Sequence, residues 1–306
     1  MADMNKIAIA VHGGASEDSS FLQQHQKECK QGLAEAVNKG YAILEKDGSA
    51  LDAVQAAVQC LEDNSLFNAG KGSALNCHGE VEMDASIMDG KNLQAGAVSM
   101  VRMVKNPITL ARLVMEKTKH VFLSGYGALE IAKKYELAIE PESYFITQHQ
   151  FEEYKRLNKI ETMDDIQNKR MKGTVGAVAL DREGNLAAGT STGGLSNCLP
   201  GRIGDSCVIG AGCYANNNSC AVSGTGEGEY LIREVVGHTI SMMVEANMNL
   251  QQACDYVLFE RNRILQGEMG VISLNKQGDF GISYNTEIMK RAWMSSSDAL
   301  QVRIYD

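Results

Sequence analysis

Thr174 is the residue of this sequence whose neighbours best suit a catalytic nucleophile. It precedes a run of small apolar residues, Val175–Leu180, that predicts a buried strand. The polar, charged segment before it shows little core-facing pattern and predicts a flexible linker over about 148–173. A cut between Gly173 and Thr174 would create an α-amine, which titrates near ~7.7–8.0 and is a base near neutral pH. One residue would then supply both the nucleophilic hydroxyl and its general base.

Gly-Thr-Val-Gly alone fits either a nucleophile or an ordinary strand start. The motifs elsewhere in the chain favour a nucleophile at the Gly173–Thr174 joint. Downstream stand Thr190-Ser191-Thr192-Gly193-Gly194, Gly201-Arg202-Ile203-Gly204-Asp205 and Ser223-Gly224-Thr225-Gly226-Glu227-Gly228-Glu229. Upstream stand His12-Gly13-Gly14, Phe67-Asn68-Ala69-Gly70 and Met83-Asp84-Ala85-Ser86-Ile87-Met88-Asp89-Gly90. In this order the motifs resemble the plant-type L-asparaginase/isoaspartyl peptidase family, which belongs to the N-terminal-nucleophile hydrolases. The resemblance runs from the first strand to at least Tyr284.

The resemblance implies an α+β fold, the four-layer αββα sandwich of the N-terminal-nucleophile hydrolase type. The predicted elements fit it, because strands, helices and strands follow one another twice along the chain. We expect a single domain over residues 1–306 that cuts itself into an α chain, 1–173, and a β chain, 174–306. Both halves would contribute to one core.

The resemblance also assigns roles around the proposed nucleophile Thr174. Thr192 would position the nucleophile's oxygen, and Asn68 would orient the region around it. Thr225 and Gly226 would hold the oxyanion, since a hydroxyl and a backbone N–H at a strand-to-helix transition suit a developing negative charge. Without the family, Thr192 fits a solvated strand end and Thr225 a helix cap.

Arg202 and Asp205 lie in a loop that also holds Gly201 and Gly204, and they predict a clamp for a free amino-acid head group. A guanidinium fork suits a carboxylate, and a carboxylate suits an ammonium group. The alternative is a surface salt bridge between the two. Gly228 is expected to add a backbone contact to the substrate amine. His12 is expected to support the site without taking part in the chemistry.

A structural sodium ion is a further implication of the resemblance, whereas catalysis needs no cofactor. Main-chain carbonyl oxygens suit such a hard cation. By position, the carbonyls belong to Leu61, Glu62, Asn64, Phe67, Ala69 and Lys71. Because the ligands are backbone atoms, the side chains of this sequence carry little information about the site.

The function implied is a self-cleaving amidohydrolase that converts L-asparagine to L-aspartate and ammonia. It would also remove N-terminal isoaspartyl (β-aspartyl) residues from dipeptides and short peptides. Three alternative functions fit the sequence less well. A glycosylasparaginase typically has Asp where Gly173 stands, a non-enzymatic relative should lack Thr174, Thr192 or Thr225, and a threonine endopeptidase is usually longer.

The composition of this chain of 306 residues limits the classes of partner that we expect it to bind. The net charge of −9 argues against nucleic acid or an anionic membrane as the main partner. Eight cysteines without a Cys-x-x-Cys pair, and no secretory segment, favour thiols and a cytoplasmic protein over disulfides. No apolar run is long enough to predict a membrane span. The family suggests a homodimer of αβ heterodimers, with small molecules as substrates.

Periodicity and caps predict the elements that carry these residues. One long helix should begin at Ser19 or Ser20 and run to about Lys46, and Ser49 should cap a second helix ending near Glu62. In the second half, strands are expected at 207–211 and 220–224, and helices at 228–246 and 250–265. A strand is also expected at 73–76, and a helix within 151–159.

Overall fold

The computed structural model describes residues 6–159 and 173–306. Before the predicted joint, the strands are β1 Ala8–Ser16, β2 Met83–Asp89, β3 Ala95–Val101 and β4 Phe122–Ser124. After it, they are β5 Val175–Leu180, β6 Leu186–Thr192, β7 Cys213–Ala215, β8 Cys220–Gly226, β9 Met269–Asn275, β10 Phe280–Tyr284, β11 Ile288–Ser295 and β12 Gln301–Arg303. The predicted mixed α+β character is confirmed.

The helices flank these strands. The first half holds α1 Ser20–Gln24, α2 Gln26–Glu45, α3 Ala50–Glu62, α4 Pro107–Lys117, α5 Gly125–Lys134, α6 Glu142–Phe145 and α7 Gln148–Leu157. The second half holds α8 Gly228–Glu234, α9 Val236–Glu245 and α10 Leu250–Asp255. In the described parts of the chain, no helix is both long enough and apolar enough to span a bilayer.

Two sheets organise the molecule. The larger has the order β12-β11-β1-β5-β6-β2-β3-β4, and the smaller has the order β10-β9-β8-β7. In the larger sheet β5 lies between β1 and β6, and both pairings are antiparallel. Strands from before and after the predicted joint therefore alternate at the centre of this sheet.

Strand β1 is a continuous hydrophobic run because both of its faces are buried in core clusters. Ile9 and Val11 belong to a core cluster built with α2, α3 and α4. Ala8 and Ala10 point to the other face, into a cluster that includes Ile272 of the smaller sheet. A third cluster packs the smaller sheet against α8, α9 and α10.

Local signals explain several elements. The Ser49 hydroxyl accepts a hydrogen bond from the Asp52 backbone N–H at 3.1 Å, and α3 begins and ends where the capping pattern predicts. Pro107 opens α4, as expected for a residue without a backbone N–H. The long first helix is instead two helices, because the backbone turns out of helical geometry at His25.

Several predicted elements are wrong in the second half. Residues 207–211 do not form a strand: Asp205–Cys207 is a 3₁₀ turn, and the strand comes later at Cys213–Ala215. The helix expected at 228–246 breaks at Val235, which has a left-handed backbone. The helix expected at 250–265 does form, but it is α-helical only over Leu250–Asp255 and continues with π geometry to Glu260 and 3₁₀ geometry to Arg263.

Differences also occur elsewhere in the chain. The strand expected at 73–76 is absent, since that described segment has no regular structure. The sequence carried no prediction for β11, which pairs with β1.

The segment before the joint is helical at its start. Thr147 caps α7, which buries Leu157 and Gln150, and Gln150 donates a side-chain hydrogen bond to the Gly72 carbonyl at 3.0 Å. The flexible linker expected over about 148–173 therefore does not begin at 148. Residues 160–172 lie outside the described residues.

Candidate active site

The carbonyl oxygen of Gly173 is held by two side-chain donors. The Asn68 amide donates to it at 2.9 Å, and the Thr192 hydroxyl donates to it at 3.1 Å. Asn68 is fixed in turn, because it also donates to the Gly194 carbonyl at 2.7 Å and accepts from the Ala74 N–H at 2.7 Å. These contacts polarise the carbonyl of the predicted scissile bond.

Thr174 lies buried at the entry to β5, beside the end of β6. Its hydroxyl donates to the Thr192 hydroxyl at 3.4 Å, which brings together the two threonines that the sequence predicted as neighbours. The Thr192 oxygen also accepts the Gly194 N–H at 3.1 Å. Thr192 is therefore a buried member of the site and not a solvated strand end.

His12 contacts the backbone of Thr174 and not its hydroxyl. The Nδ1–H donates to the Thr174 carbonyl at 3.0 Å, which leaves Nε2 to accept from the Ser223 hydroxyl at 2.9 Å. Burial lowers the pKa of His12 to about 3, so the ring is neutral at pH 7. Gly176 makes room for this pair, since a Cβ there would lie 2.4 Å from Nε2.

Thr225 and Gly226 end β8, two residues before α8 begins. Thr225 is fully buried, and its hydroxyl accepts the Ala15 N–H at 3.3 Å. Gly226 has a φ of +127°, and a Cβ there would lie 2.3 Å from the Glu268 carbonyl, so only glycine fits. The predicted strand-to-helix transition is confirmed at this position.

Arg202 pairs with Glu229 and not with Asp205. Its Nε and Nη2 donate to the two carboxylate oxygens of Glu229 at 3.0 and 2.9 Å. Such a bidentate pair fixes the plane of the guanidinium group. The alternative of a surface salt bridge between Arg202 and Asp205 is therefore wrong.

Asp205 is a buried carboxylate with unused hydrogen-bonding capacity. It is 3% exposed, and its Oδ2 has no hydrogen-bond partner among the described residues. Burial raises the pKa of Asp205 to about 7, although the nearby Arg202 charge opposes the shift. A buried polar atom without a partner marks a place where a ligand can supply one.

Gly228 joins these groups into one site. A Cβ at Gly228 would lie 2.9 Å from both Arg202 Nη2 and Asp205 Oδ1. Glycine therefore leaves open the space between the guanidinium group and the carboxylate. The structure thus brings together all three residues that the sequence predicted for binding a head group.

Comparisons with known proteins place the chain in a family. The asparaginase family model matches residues 5–304. The chain belongs to the asparaginase family. It is 42% identical to the isoaspartyl peptidase of Salmonella typhimurium, with 99% of each chain covered. It is 43% identical to the isoaspartyl peptidase/L-asparaginase of Bos taurus, with 96% of this chain and 94% of the relative covered. It is 45% identical to the isoaspartyl peptidase/L-asparaginase of Mus musculus, with 92% of this chain and 86% of the relative covered. The resemblance drawn from the motifs is confirmed.

Two carboxylates of the candidate site were not predicted from the sequence. Asp84 accepts backbone N–H groups from Gly204 at 3.2 Å and from Met100 at 3.0 Å, so it shapes the loop that presents Arg202. Burial raises the pKa of Asp84 to about 6. Glu229 supplies the Arg202 ion pair. Both stand inside quoted motifs, but nothing in the spacing indicates which residue each contacts.

The loop predicted to cage sodium closes tightly on the end of α3. The Lys71 N–H donates to the Glu62 carbonyl at 2.7 Å, and a Cβ at Gly70 would lie 2.4 Å from the same oxygen. The carbonyls of Asn64 and Phe67 each accept one backbone N–H in the loop, whereas the Leu61 carbonyl accepts those of Asp63 and Asn64. Carbonyl oxygens are ligands that suit a hard cation, and a sodium ion in this loop stays a prediction.

Proposed function

We propose that this asparaginase-family chain cuts itself between Gly173 and Thr174 and then acts as an amidohydrolase. Its substrates would be L-asparagine and peptides that begin with an isoaspartyl residue. The observation that carries the proposal is the Gly173 carbonyl, which accepts hydrogen bonds from Asn68 and Thr192 beside the Thr174 hydroxyl. The names of the relatives, isoaspartyl peptidase and L-asparaginase, support the substrate class.

In the proposed self-cleavage, the Thr174 oxygen attacks the Gly173 carbonyl carbon. The Asn68 amide and the Thr192 hydroxyl stabilise the oxyanion that forms. The C–N bond then breaks, the hydroxyl proton ends on the departing nitrogen, and an ester links Gly173 to the Thr174 oxygen. Water hydrolyses the ester and leaves a carboxylate on Gly173 and an α-amine on Thr174.

In the proposed hydrolysis, the substrate head group occupies the space at Gly228. Arg202 binds the α-carboxylate, and Asp205, with its free Oδ2, binds the α-ammonium group. The Thr174 α-amine takes the hydroxyl proton, and the hydroxyl oxygen attacks the substrate's side-chain carbonyl. Thr225 and the Gly226 N–H hold the oxyanion, ammonia or an amino acid departs, and water releases aspartate.

The remaining expectations belong to the same proposal. The three core clusters support a four-layer αββα arrangement in one domain. The carbonyl loop at 61–72 supports a structural sodium ion, and catalysis would use no cofactor. None of the eight cysteines, all in the described residues, forms a disulfide, which supports a cytoplasmic protein. We further propose a homodimer of αβ heterodimers, by analogy with the family.

Mass spectrometry and three matched peptides test the proposal. Purified wild-type protein should give two fragments that meet at Gly173 and Thr174, whereas Thr174→Ala should stay uncut, folded and inactive. Wild-type enzyme should cleave an N-terminal isoaspartyl peptide, because that residue keeps both a free α-amine and a free α-carboxylate.

The other two peptides test the head-group clamp. The N-acetyl form leaves the Asp205 charge unpaired, at a cost of about 1–3 kcal/mol or more, and an internal isoaspartyl bond lacks both charged groups. Both peptides should be spared. An active, normally cut Thr174→Ala protein would refute the nucleophile, and efficient cleavage of the acetylated peptide would refute the clamp.

A further inference from the structure

A cavity of about 780 Å³ lies against the proposed cleavage joint. Gly173 and Asn68 line it, as does Glu227, which separates Gly226 from Gly228. Arg202 and Asp205 are not among its lining residues. The cavity is therefore next to the reacting groups but distinct from the space that would hold the aspartyl head group.

Lys290, on β11, lines this cavity close to the joint. A Cβ at Gly14 would lie 3.0 Å from Gly173 Cα, 3.4 Å from Thr174 N and 3.6 Å from Lys290 Cε. These three atoms thus surround a single point, which Gly14 leaves open. Lys290 Cε therefore lies within about 7 Å of the nitrogen that the proposed cleavage would turn into the α-amine, this bound being the sum of 3.4 and 3.6 Å.

The ammonium group of Lys290 has no carboxylate partner within residues 6–159 and 173–306. Its Nζ lies 5.8 Å from the centroid of the Phe67 ring. The other strong cation of the cavity, Arg156, pairs with Glu153 at 2.6 Å. Because an ammonium group in a partly enclosed cavity gains from an opposite charge, Lys290 is suited to an anionic ligand.

The leaving group of the proposed reaction identifies such an anion. The α-amine of Thr174 must return its proton to the departing nitrogen, so that nitrogen has to come within hydrogen-bond reach of Thr174 N. In a β-aspartyl dipeptide the departing nitrogen belongs to an amino acid, whose own carboxylate is two bonds further on. In L-asparagine the departing group is ammonia, which carries no such anion.

We propose that Lys290 binds the C-terminal carboxylate of the departing residue of β-aspartyl dipeptides. This inference rests on the proposed function and deepens it, because it assigns a subsite to the half of the substrate that the head-group clamp leaves free. Glu17, Asp18, Glu227 and Glu268 also line the cavity and repel a carboxylate placed elsewhere in it. Dipeptides should therefore be favoured over tripeptides, whose terminal carboxylate lies farther from Lys290.

Steady-state kinetics of the self-processed enzyme on three substrates test the subsite. The substrates are β-aspartyl-alanine, its C-terminal amide, and L-asparagine. Lys290→Met should raise the KM for β-aspartyl-alanine roughly tenfold or more, since it removes a charge-assisted contact. The KM for L-asparagine should change less than about twofold, and the amide should show no difference between wild type and variant. Lys290→Arg should restore most of the affinity for the acid.

A matched control removes an exposed lysine elsewhere. Lys276→Met, in the turn between β9 and β10, should leave all three KM values unchanged. The subsite would be overturned if Lys290→Met raised the KM equally for L-asparagine and the dipeptide. It would also be overturned if the KM rose equally for the acid and its amide. If Lys290→Met does not fold, wild-type enzyme alone decides, because equal KM values for acid and amide would also overturn it. Failure of wild-type enzyme to hydrolyse L-asparagine would instead count against the proposed function.

Discussion

Arg202 has a geometry that depends on a neighbour the sequence did not reveal. Its side chain is 16% exposed, whereas that of its partner Glu229 is 55% exposed. A guanidinium group has five N–H donors, so the bidentate pair with Glu229 leaves donors for a substrate carboxylate. The chemistry of the residue was predictable from its type, but its orientation is a product of the fold that sets α8 against the loop.

Substitutions at this pair should separate binding from orientation. Arg202→Ala should raise the KM for L-asparagine and for β-aspartyl dipeptides by about thirtyfold or more, since losing a partly buried charge contact costs about 2–5 kcal/mol. Glu229→Gln should raise it at most about fivefold, because an exposed ion pair contributes about 0–1 kcal/mol. Initial-rate kinetics on both substrates measure this contrast. Equal effects of the two substitutions would show that Arg202 acts only as the partner of Glu229.

The proposed binding group Asp205 destabilises the folded protein when its carboxyl group is ionised. Burial raises its pKa to about 7, above the ordinary value near ~3.9, so the folded protein favours the protonated carboxyl. The stabilisation from this group is complete below about pH 4 and is lost as the pH rises through about 7.

Asp205→Asn should therefore stabilise the protein at pH 8, by an amount on the order of a few kcal/mol, and much less at pH 5. It should also abolish binding of the substrate ammonium group. Thermal unfolding at both pH values measures the effect, with each protein also carrying Thr174→Ala so that neither is cut. A gain that did not grow with pH would mean that Asp205 is not the titrating group.

At the scale of elements, local signals were reliable where the chain itself sets the geometry. Ser49 and Pro107 mark helix starts by their backbone chemistry, and β5 is an unbroken apolar run. Local signals failed where contacts between distant parts of the chain determine the secondary structure. Strand β11 carries Lys290 and Arg291 among its apolar residues, which hides its strand character in the sequence. The fold shows that Arg291 is buried and donates a hydrogen bond to the Met289 carbonyl.

Val235 ends α8 in a way that no sequence signal predicts. Its φ and ψ are 48° and 49°, a left-handed conformation that β-branched residues disfavour by about 1–2 kcal/mol. Glycine is the usual residue at such a helix end. Val235 therefore separates α8, whose first residue is Gly228, from α9, which begins at Val236.

Val235→Gly should raise the stability of the protein by about 1 kcal/mol, because the strain is relieved and a side chain that is 43% exposed loses little packing. Val235→Ala is the matched control, since it removes the same methyl groups but keeps the left-handed penalty. Thermal unfolding of the three uncut proteins, each with Thr174→Ala, measures the difference. Equal melting temperatures for the Gly and Ala variants would show that strain is not stored at this position.

At the scale of the whole molecule, the site is an assembly of segments from both sides of the joint. Asn68 comes from the loop after α3, Thr174 and Thr192 from neighbouring strands, and Gly228 from the start of α8. The motifs identified these residues because the family resemblance supplied their roles. The Arg202–Glu229 pair and the setting of Lys290 could not be predicted, because they depend on how distant segments pack.

The order of strands in the larger sheet predicts how the two chains would behave after the proposed cleavage. Strands β5 and β6 follow the joint, yet they lie between β1 and β2, which precede it, and β11 pairs with the other edge of β1. Separating the two chains would break three central ladders and expose the cores on both faces of the sheet, so it requires unfolding. The two fragments should therefore co-elute in size-exclusion chromatography and melt in one transition. They should separate only in denaturant, and fragment 1–173 expressed alone should fail to fold. Elution of a folded 1–173 fragment apart from its partner would contradict this view of the sheet as a joint product of both chains.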